Sequence, residues 1–192
     1  MISCLVLSAG LSERFGSPKP LAPFKGTTVI GHILKTLLET SCDEIIVVLG
    51  ASSHIIFPTL FNHTRIRVVY NKDYNFGQTS SVQMGWRSLS ENVSGVMILP
   101  VDCPLLQASS IEKMIQCFNE KNPEILIPTF NHRKGHPPIF KADLKEEVLG
   151  LPFNLGLNSL FSAHPPQTIE IDDIGVIKSF NTPEELEIIS RL

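Results

Sequence analysis

The sequence predicts an α/β fold with a doubly wound parallel sheet, and three observations carry that expectation. Short apolar runs rich in Val and Ile recur along the chain without polar alternation, as strands covered on both faces should. Stretches with helical apolar spacing separate them. The two patterns alternate, which is the mark of strand–helix–strand units.

The strands are expected at Ile2–Leu7, Glu44–Leu49, Ile66–Tyr70, Val96–Pro100 and Ile125–Pro128. Val29, Ile33, Leu34, Leu37 and Leu38 form one helical stripe. Val82, Met84, Trp86 and Leu89 form a less regular one in a Gly-poor segment. Ile111, Met114, Ile115 and Phe118 form a third, after Ser109 and Glu112 at capping-box spacing. Further on, Pro137-Pro138 precede a short expected strand at Ile139-Phe140, and Ala142 to Leu149 reads as a helix. Thr168–Ile171 and Val176–Ser179 read as two short strands about Asp172-Asp173. The last helix is expected to begin with Thr182 as N-cap, Pro183 at its first position and Glu185 at its third. Pro152 to Gly156 reads as a loop too short to separate domains, so residues 1–192 are expected to form one domain.

Bulk properties narrow the function. The chain has 192 residues, 43% hydrophobic and 18% charged, as in a soluble globular domain. A formal charge of −3 gives no case for a nucleic-acid partner. No apolar run is long enough to span a membrane and no basic segment precedes an export signal, so a cytoplasmic protein is expected. Cys4, Cys42, Cys103 and Cys117 are scattered without a Cys-x-x-Cys pair and read as reduced thiols.

The segment after the first strand departs from this background. From Ala9 to Gly26, Arg14, Lys19 and Lys25 oppose only Glu13, a local balance of +2. Such a loop suits an anionic small molecule. Glycines let backbone N–H groups approach phosphate oxygens, and fixed cations neutralise charge. In open α/β sheets, ligands bind outside the carboxyl ends of the strands, where this loop lies. Two familiar phosphate loops are excluded. Gly10 and Gly16 have five residues between them, and Ser17-Pro18 precede Lys19, so there is no Walker A loop. Nor do these glycines supply a Gly-x-Gly-x-x-Gly fingerprint.

Four further segments hold candidate chemistry. Asp102, in Leu99-Pro100-Val101-Asp102-Cys103-Pro104, lies just past the fourth strand and faces the same crevice as the loop. One carboxylate there suits Mg²⁺, which binds phosphates with only one or two protein carboxylates. Asn71 through Ser81 follows the third strand. Gly77 permits a turn, and Thr79, Ser80 and Ser81 can cap a helix or offer hydroxyls to a nucleobase. His132 and His136 lie four apart, but Gly135 and Pro137 argue against a helical zinc pair. Ser179-Phe180-Asn181-Thr182-Pro183 precedes the last helix.

The loop matches the pattern Leu-x-Gly/Ala-Gly-x-Ser-x-Arg-Met-Gly-x-x-Lys at Leu7, Ala9, Gly10, Ser12, Arg14, Gly16 and Lys19, with Phe15 at the Met position. In this it resembles the MobA-like nucleotidyltransferases. Three other segments resemble the molybdenum-cofactor cytidylyltransferase branch of that family. These are Asn71 to Ser81 (Asn-Pro…Gly-Met-Ser-Ser-Ser), Gly135-His136-Pro137 to Phe140 (Gly-His-Pro-x-x-Phe) and Ser179 to Glu185 (Asp-Ile-Asp-Thr-Pro-Glu-Asp). Asp102 matches the metal-binding Asp-x-Pro. Gln78-Thr79 depart from Met-Ser, and Asn181 and Ser179 replace two acids.

The resemblance implies a three-layer Rossmann-like nucleotidyltransferase fold, a mostly parallel sheet with an antiparallel addition and helices on both faces. It implies transfer of an NMP from an NTP to the terminal phosphate of molybdopterin, with Mg²⁺ as cofactor and a molybdoenzyme as partner. Lys19 and Arg14 would meet the α-phosphate and the outer phosphates, with Asp102 as third catalytic group. Ser8, Ala9, Gly10, Leu11, Ser12, Asn71, Gly77, Ser80 and Ser81 would complete the nucleotide site. Gly135, His136 and Pro137 would meet the acceptor. Asp102 and Asn181 would hold the metal, with Asp172 or Asp173 as substitutes for the missing acid. Ala9-Gly10, where guanylyltransferases carry Gly-Gly, favours CTP over GTP. A sugar-1-phosphate nucleotidyltransferase, a GTP-using enzyme and a non-catalytic cofactor carrier are the alternative readings.

Overall fold

The computed structural model describes residues 1–192. Its elements in chain order are β1 (Ile2–Ser8), β2 (Pro23–Phe24), β3 (Thr27–Thr28), α1 (Val29–Leu38), β4 (Glu44–Leu49), α2 (Ser53–Ile56), β5 (Ile66–Tyr70) and α3 (Gln78–Arg87). They continue with β6 (Gly95–Pro100), α4 (Ala108–Lys121), β7 (Ile125–Phe130), β8 (Arg133–Lys134), β9 (Ile139–Lys141), α5 (Lys145–Gly150), β10 (Gln167–Glu170) and α6 (Pro183–Ser190).

Eight strands form one sheet in the order β10-β7-β9-β6-β1-β4-β5, with β8 beside β7, and β2 and β3 form a separate ribbon. The pairs β1–β4, β1–β6, β4–β5 and β7–β10 are parallel. Strand β9 runs antiparallel to both β6 and β7, with Val96 and Ile125 each opposite Phe140. This is the expected mostly parallel sheet with an antiparallel addition.

Side-chain alternation along a strand divides the core into two layers. Ile2, Cys4 and Val6 of β1, with Ile45, Val47 and Leu49 of β4, pack into the cluster that includes α1, α4 and α6. Leu5 and Leu7, with Ile46 and Val48, pack on the other face with Val82 and Trp86 of α3 and Val148 of α5. Helices therefore cover both faces, giving three layers. All four cysteines are buried free thiols.

Two local expectations are corrected. No capping box forms at Ser109. Helix α4 begins at Ala108, two residues earlier than that box requires, and the N–H of its N-cap, Gln107, donates to Asp173 Oδ2 at 2.9 Å. Glu112 instead accepts from the N–H and hydroxyl of Ser41, at 2.9 and 2.8 Å. The second strand about Asp172-Asp173 is also absent. A 3₁₀ turn at Ile174–Val176 leads into irregular chain whose backbone bonds to loops rather than to a strand. The Val176 carbonyl accepts from His136 N–H at 2.8 Å, and Phe180 N–H donates to the Asp102 carbonyl at 3.1 Å. Residues 176–181 thus form a strap across the carboxyl ends of the central strands. The Ala142–Leu149 helix begins as a 3₁₀ turn, Ala142–Leu144, and continues as α5. The capping box at Thr182 and Glu185 is present.

Candidate functional site

The loop after β1 owes its shape to two left-handed residues. Ser12 has φ 56° and Gly16 has φ 75°, and the Ser12 carbonyl accepts from the N–H groups of Phe15 and Gly16 at 2.9 and 3.1 Å. The Ser12 hydroxyl accepts from Lys19 N–H at 3.2 Å, which folds the loop back so that Lys19 starts beside its own beginning. Gly50, at the end of β4, lets this loop lie close: a Cβ there would stand 2.6 Å from the Ala9 carbonyl oxygen.

Lys19 Nζ donates to the Phe180 carbonyl at 2.9 Å and to Asn181 Oδ1 at 3.1 Å, and lies 3.6 Å from Asp102 Oδ2. Its side chain is only 12% exposed, so its charge acts in a weakly screened setting. The ammonium also sits 5.3 Å from the centre of the Phe180 ring, which Phe15 meets edge-on at 5.5 Å. Arg14 Nη2 donates to Asn181 Oδ1 at 2.8 Å. The two cations of the loop therefore share one amide oxygen.

A cavity of about 240 Å³ opens between the loop and the end of β6. Ser8, Ala9, Gly10, Ser12, Lys19, Gly77, Ser81 and Asp102 line it, together with Tyr74 and Gln78. The Ser8 hydroxyl lies buried behind this wall without a hydrogen-bond partner in the protein. A Cβ on Gly10 would meet nothing within 4 Å, which leaves room for phosphate oxygens against the backbone.

Not every candidate reaches this cavity. Asn71 and Ser80 are buried struts: Asn71 Nδ2 donates to the Ser80 and Ser81 hydroxyls at 2.9 and 3.0 Å. The single Ser80 hydroxyl proton in turn is shared between the carbonyls of Asp73 and Gly77, each 2.8 Å away. Of that group, Gly77 and Ser81 line the cavity. The Leu11 side chain is exposed, and neither it nor Arg14 lines the wall. Asp173 caps its own turn: Oδ1 accepts from Gly175 N–H and Oδ2 from Gln107 N–H. Asp173 is buried and does not line this cavity.

Asp102 does suit a divalent cation. One side of it faces Lys19, its Oδ1 lies 3.5 Å from the Cys103 thiol, and its side chain remains 29% exposed toward the cavity. Burial, reinforced by the Asp102 charge, pushes the Cys103 thiol well above its ordinary range, so it stays neutral beside the carboxylate.

A second cavity of about 520 Å³ adjoins the first, with Gln78 in the lining of both. Gly135 and His136 form one wall, and Pro138 rather than Pro137 contributes the proline surface. Phe140, Phe153 and Phe161 supply aromatic walls, and Lys134 brings a cation. A Cβ on Gly135 would lie 2.0 Å from the Val176 carbonyl oxygen, so only glycine lets the strap pass here. His136 Nδ1 is buried without a partner. Burial pulls the imidazole below its ordinary pKa, and the Asp102 carboxylate pulls the other way.

Tyr74, Gln78, Phe153, Phe161 and Phe180 escaped the sequence reading. The signal for Gln78 was present, since it breaks a motif position. Phe180 sat inside another motif, but its role is made by its backbone carbonyl.

A protein-family model described as the MobA-like NTP transferase domain matches residues 4–168. The molybdenum cofactor cytidylyltransferase of Escherichia coli (strain K12) is 23% identical over 96% of this chain and 93% of its own length. The nicotine blue oxidoreductase of Paenarthrobacter nicotinovorans is 23% identical over 100% of this chain and 94% of its own. Among solved structures, Rv0371c from Mycobacterium tuberculosis H37Rv superposes with a TM-score of 0.86 at 22% identity, covering 100% of this chain and 98% of that one.

Proposed function

The chain belongs to the MobA-like NTP transferase family, and on that premise we propose that it moves CMP from CTP onto the terminal phosphate of a molybdopterin-type acceptor. Membership makes it a nucleotidyltransferase; the nucleotide, the acceptor and the residue roles are our reading. The observation that carries it is the meeting of Lys19 and Asp102 at 3.6 Å on the rim of a cavity walled by the glycine-bearing loop.

In this reading the triphosphate lies against Ser8 to Ser12, and the acceptor fills the second cavity. An oxygen of the acceptor phosphate attacks the α-phosphorus. A new P–O bond forms, the α–β bridge breaks, and pyrophosphate leaves with the electron pair. No protein base is required, because the attacking phosphate is already ionised. Lys19 offsets the charge that develops at the reacting phosphorus, an interaction that counts most in a dry, preformed site. Arg14 offers a planar fork to the outer phosphates. Asp102 would hold Mg²⁺, which supplies charge neutralisation on the phosphate oxygens. The aromatic walls of the second cavity support a flat acceptor over a sugar phosphate. Treating residues 1–192 as one domain belongs to the same reading and is supported by α6 sharing its core with α1 and β1. No helix is long and apolar enough to cross a membrane.

Incubation with molybdenum cofactor, Mg²⁺ and each NTP in turn, with pyrophosphate detection, tests the proposal. Release with CTP is expected. A clear preference for GTP overturns the cytidylyl assignment, and no release with any NTP overturns the acceptor.

A further inference from the structure

Asn181 stands where the resemblance implies a metal ligand, yet its surroundings are those of an anion. Its side-chain oxygen receives the Arg14 guanidinium at 2.8 Å and the Lys19 ammonium at 3.1 Å. Two donors converging on one atom identify that atom as the oxygen rather than the nitrogen of the amide. A carbonyl oxygen has two acceptor sites, and both are taken. A divalent cation placed there would also face two positive charges at hydrogen-bond distance, with no formal charge on the amide to offset them.

The rest of the residue is equally committed. Asn181 N–H donates to Glu185 Oε2 at 2.5 Å, the carboxylate that also closes the Thr182 capping box of α6, so the backbone is fixed to a helix end. Its neighbour Phe180 fixes Lys19 a second time through its carbonyl and touches Asp102 through its N–H.

We propose that Asn181 is the anchor that sets Lys19 and Arg14 for the triphosphate, and that the catalytic cation takes Asp102 without Asn181. This rests on reading the first cavity as a triphosphate site. A neutral amide suits such an anchor. It holds both cations in place, but releases them to phosphate more readily than a carboxylate would, because a charge-assisted bond to an ion is stronger than one to an amide. Asn181 is therefore a positioning residue, acting through the two side chains that meet substrate.

The test uses inorganic tripolyphosphate and Mn²⁺, which need neither turnover nor a particular base. Calorimetry measures tripolyphosphate binding without metal, and electron paramagnetic resonance measures Mn²⁺ affinity at saturating tripolyphosphate. Asn181→Ala is expected to weaken tripolyphosphate about fivefold or more, through loss of the shared partner of two cations. Mn²⁺ affinity of the saturated variant should stay within about twofold of the parent, whereas Asp102→Asn lowers it roughly tenfold or more. Asn181→Ser takes the place of an alanine variant that does not fold. Loss of Mn²⁺ affinity by Asn181→Ala comparable to that of Asp102→Asn overturns the inference, as does unchanged tripolyphosphate binding. A parent that binds no tripolyphosphate overturns the triphosphate reading itself and this inference with it.

Discussion

The Lys19 ammonium and the Asp102 carboxylate stand 3.6 Å apart, although one comes from the loop after β1 and the other from the turn after β6. Their strands are neighbours in the sheet, in parallel register from Ile2 opposite Gly95 to Leu7 opposite Pro100. Parallel pairing delivers both carboxyl ends to one side, and Val101 N–H seals the junction by donating to the Leu7 carbonyl at 3.1 Å. Lys19→Ala is expected to lower kcat by roughly a hundredfold or more while NTP binding changes far less. Steady-state kinetics with a separate nucleotide-binding measurement check this. Equal losses in both would mean that Lys19 holds ground state and transition state alike.

Gly10→Ala separates binding from stability. The added methyl meets nothing within 4 Å in the free protein, so the melting temperature should stay unchanged or rise slightly through the reduced freedom of the unfolded chain. The methyl would occupy the space a phosphate needs, so KM for NTP should rise. A thermal scan and a KM determination on the same preparation suffice; a fall in Tm with unchanged KM contradicts the cradle.

At Gly135 the opposite is expected. A Cβ would sit 2.0 Å from the Val176 carbonyl oxygen, the atom that accepts from His136 N–H. Gly135→Ala must push the strap away and is expected to cost about 1–3 kcal/mol, as overpacking does elsewhere. Urea denaturation measures it.

The pH dependence of stability should carry a trace of His136. Burial holds its pKa below the ordinary 6.5 in the folded protein, so between the two values the unfolded chain binds the extra proton. Its contribution is therefore fully present above about 6.5 and is lost as pH falls through the lower, folded value. Half-buried His32 is shifted the same way by burial and adds to the slope, whereas lowered Glu44 acts at more acid pH. Denaturation midpoints from pH 8 to pH 5 should fall less steeply for His136→Gln than for the parent; identical slopes would refute the assignment.

The fold was legible where β-branched apolar residues cluster: β4 and β5 lie where the residue pattern puts them, and β1 and β6 differ by one residue, although β5 is an edge strand with Arg67 and Tyr70 exposed rather than a strand covered on both faces. It was not legible where a distant side chain competes for local groups. Ser109 and Glu112 have capping-box spacing, but Asp173 reaches the helix start first and Ser41 claims Glu112. Val176 to Ser179 has the composition of a strand, yet the Val176 carbonyl bonds to the loop at His136 and the next residue, Phe180, bonds to the loop at Asp102. The site divides similarly. Lys19 and Asp102 were found from motifs at strand ends. Ser80 could be read as a nucleobase contact because nothing in the sequence reveals that its hydroxyl is spent on Asp73 and Gly77.

The strap also bears on how relatives are judged. Its residues fasten His136, Asp102, Lys19 and Arg14 in turn, yet all of them lie beyond residue 168, where the family match stops. A homologue could therefore match that region in full and still lack the clasp that holds the two loop cations beside Asp102. Under the proposed function, turnover by such a homologue would separate what the clasp contributes from what the glycine loop contributes.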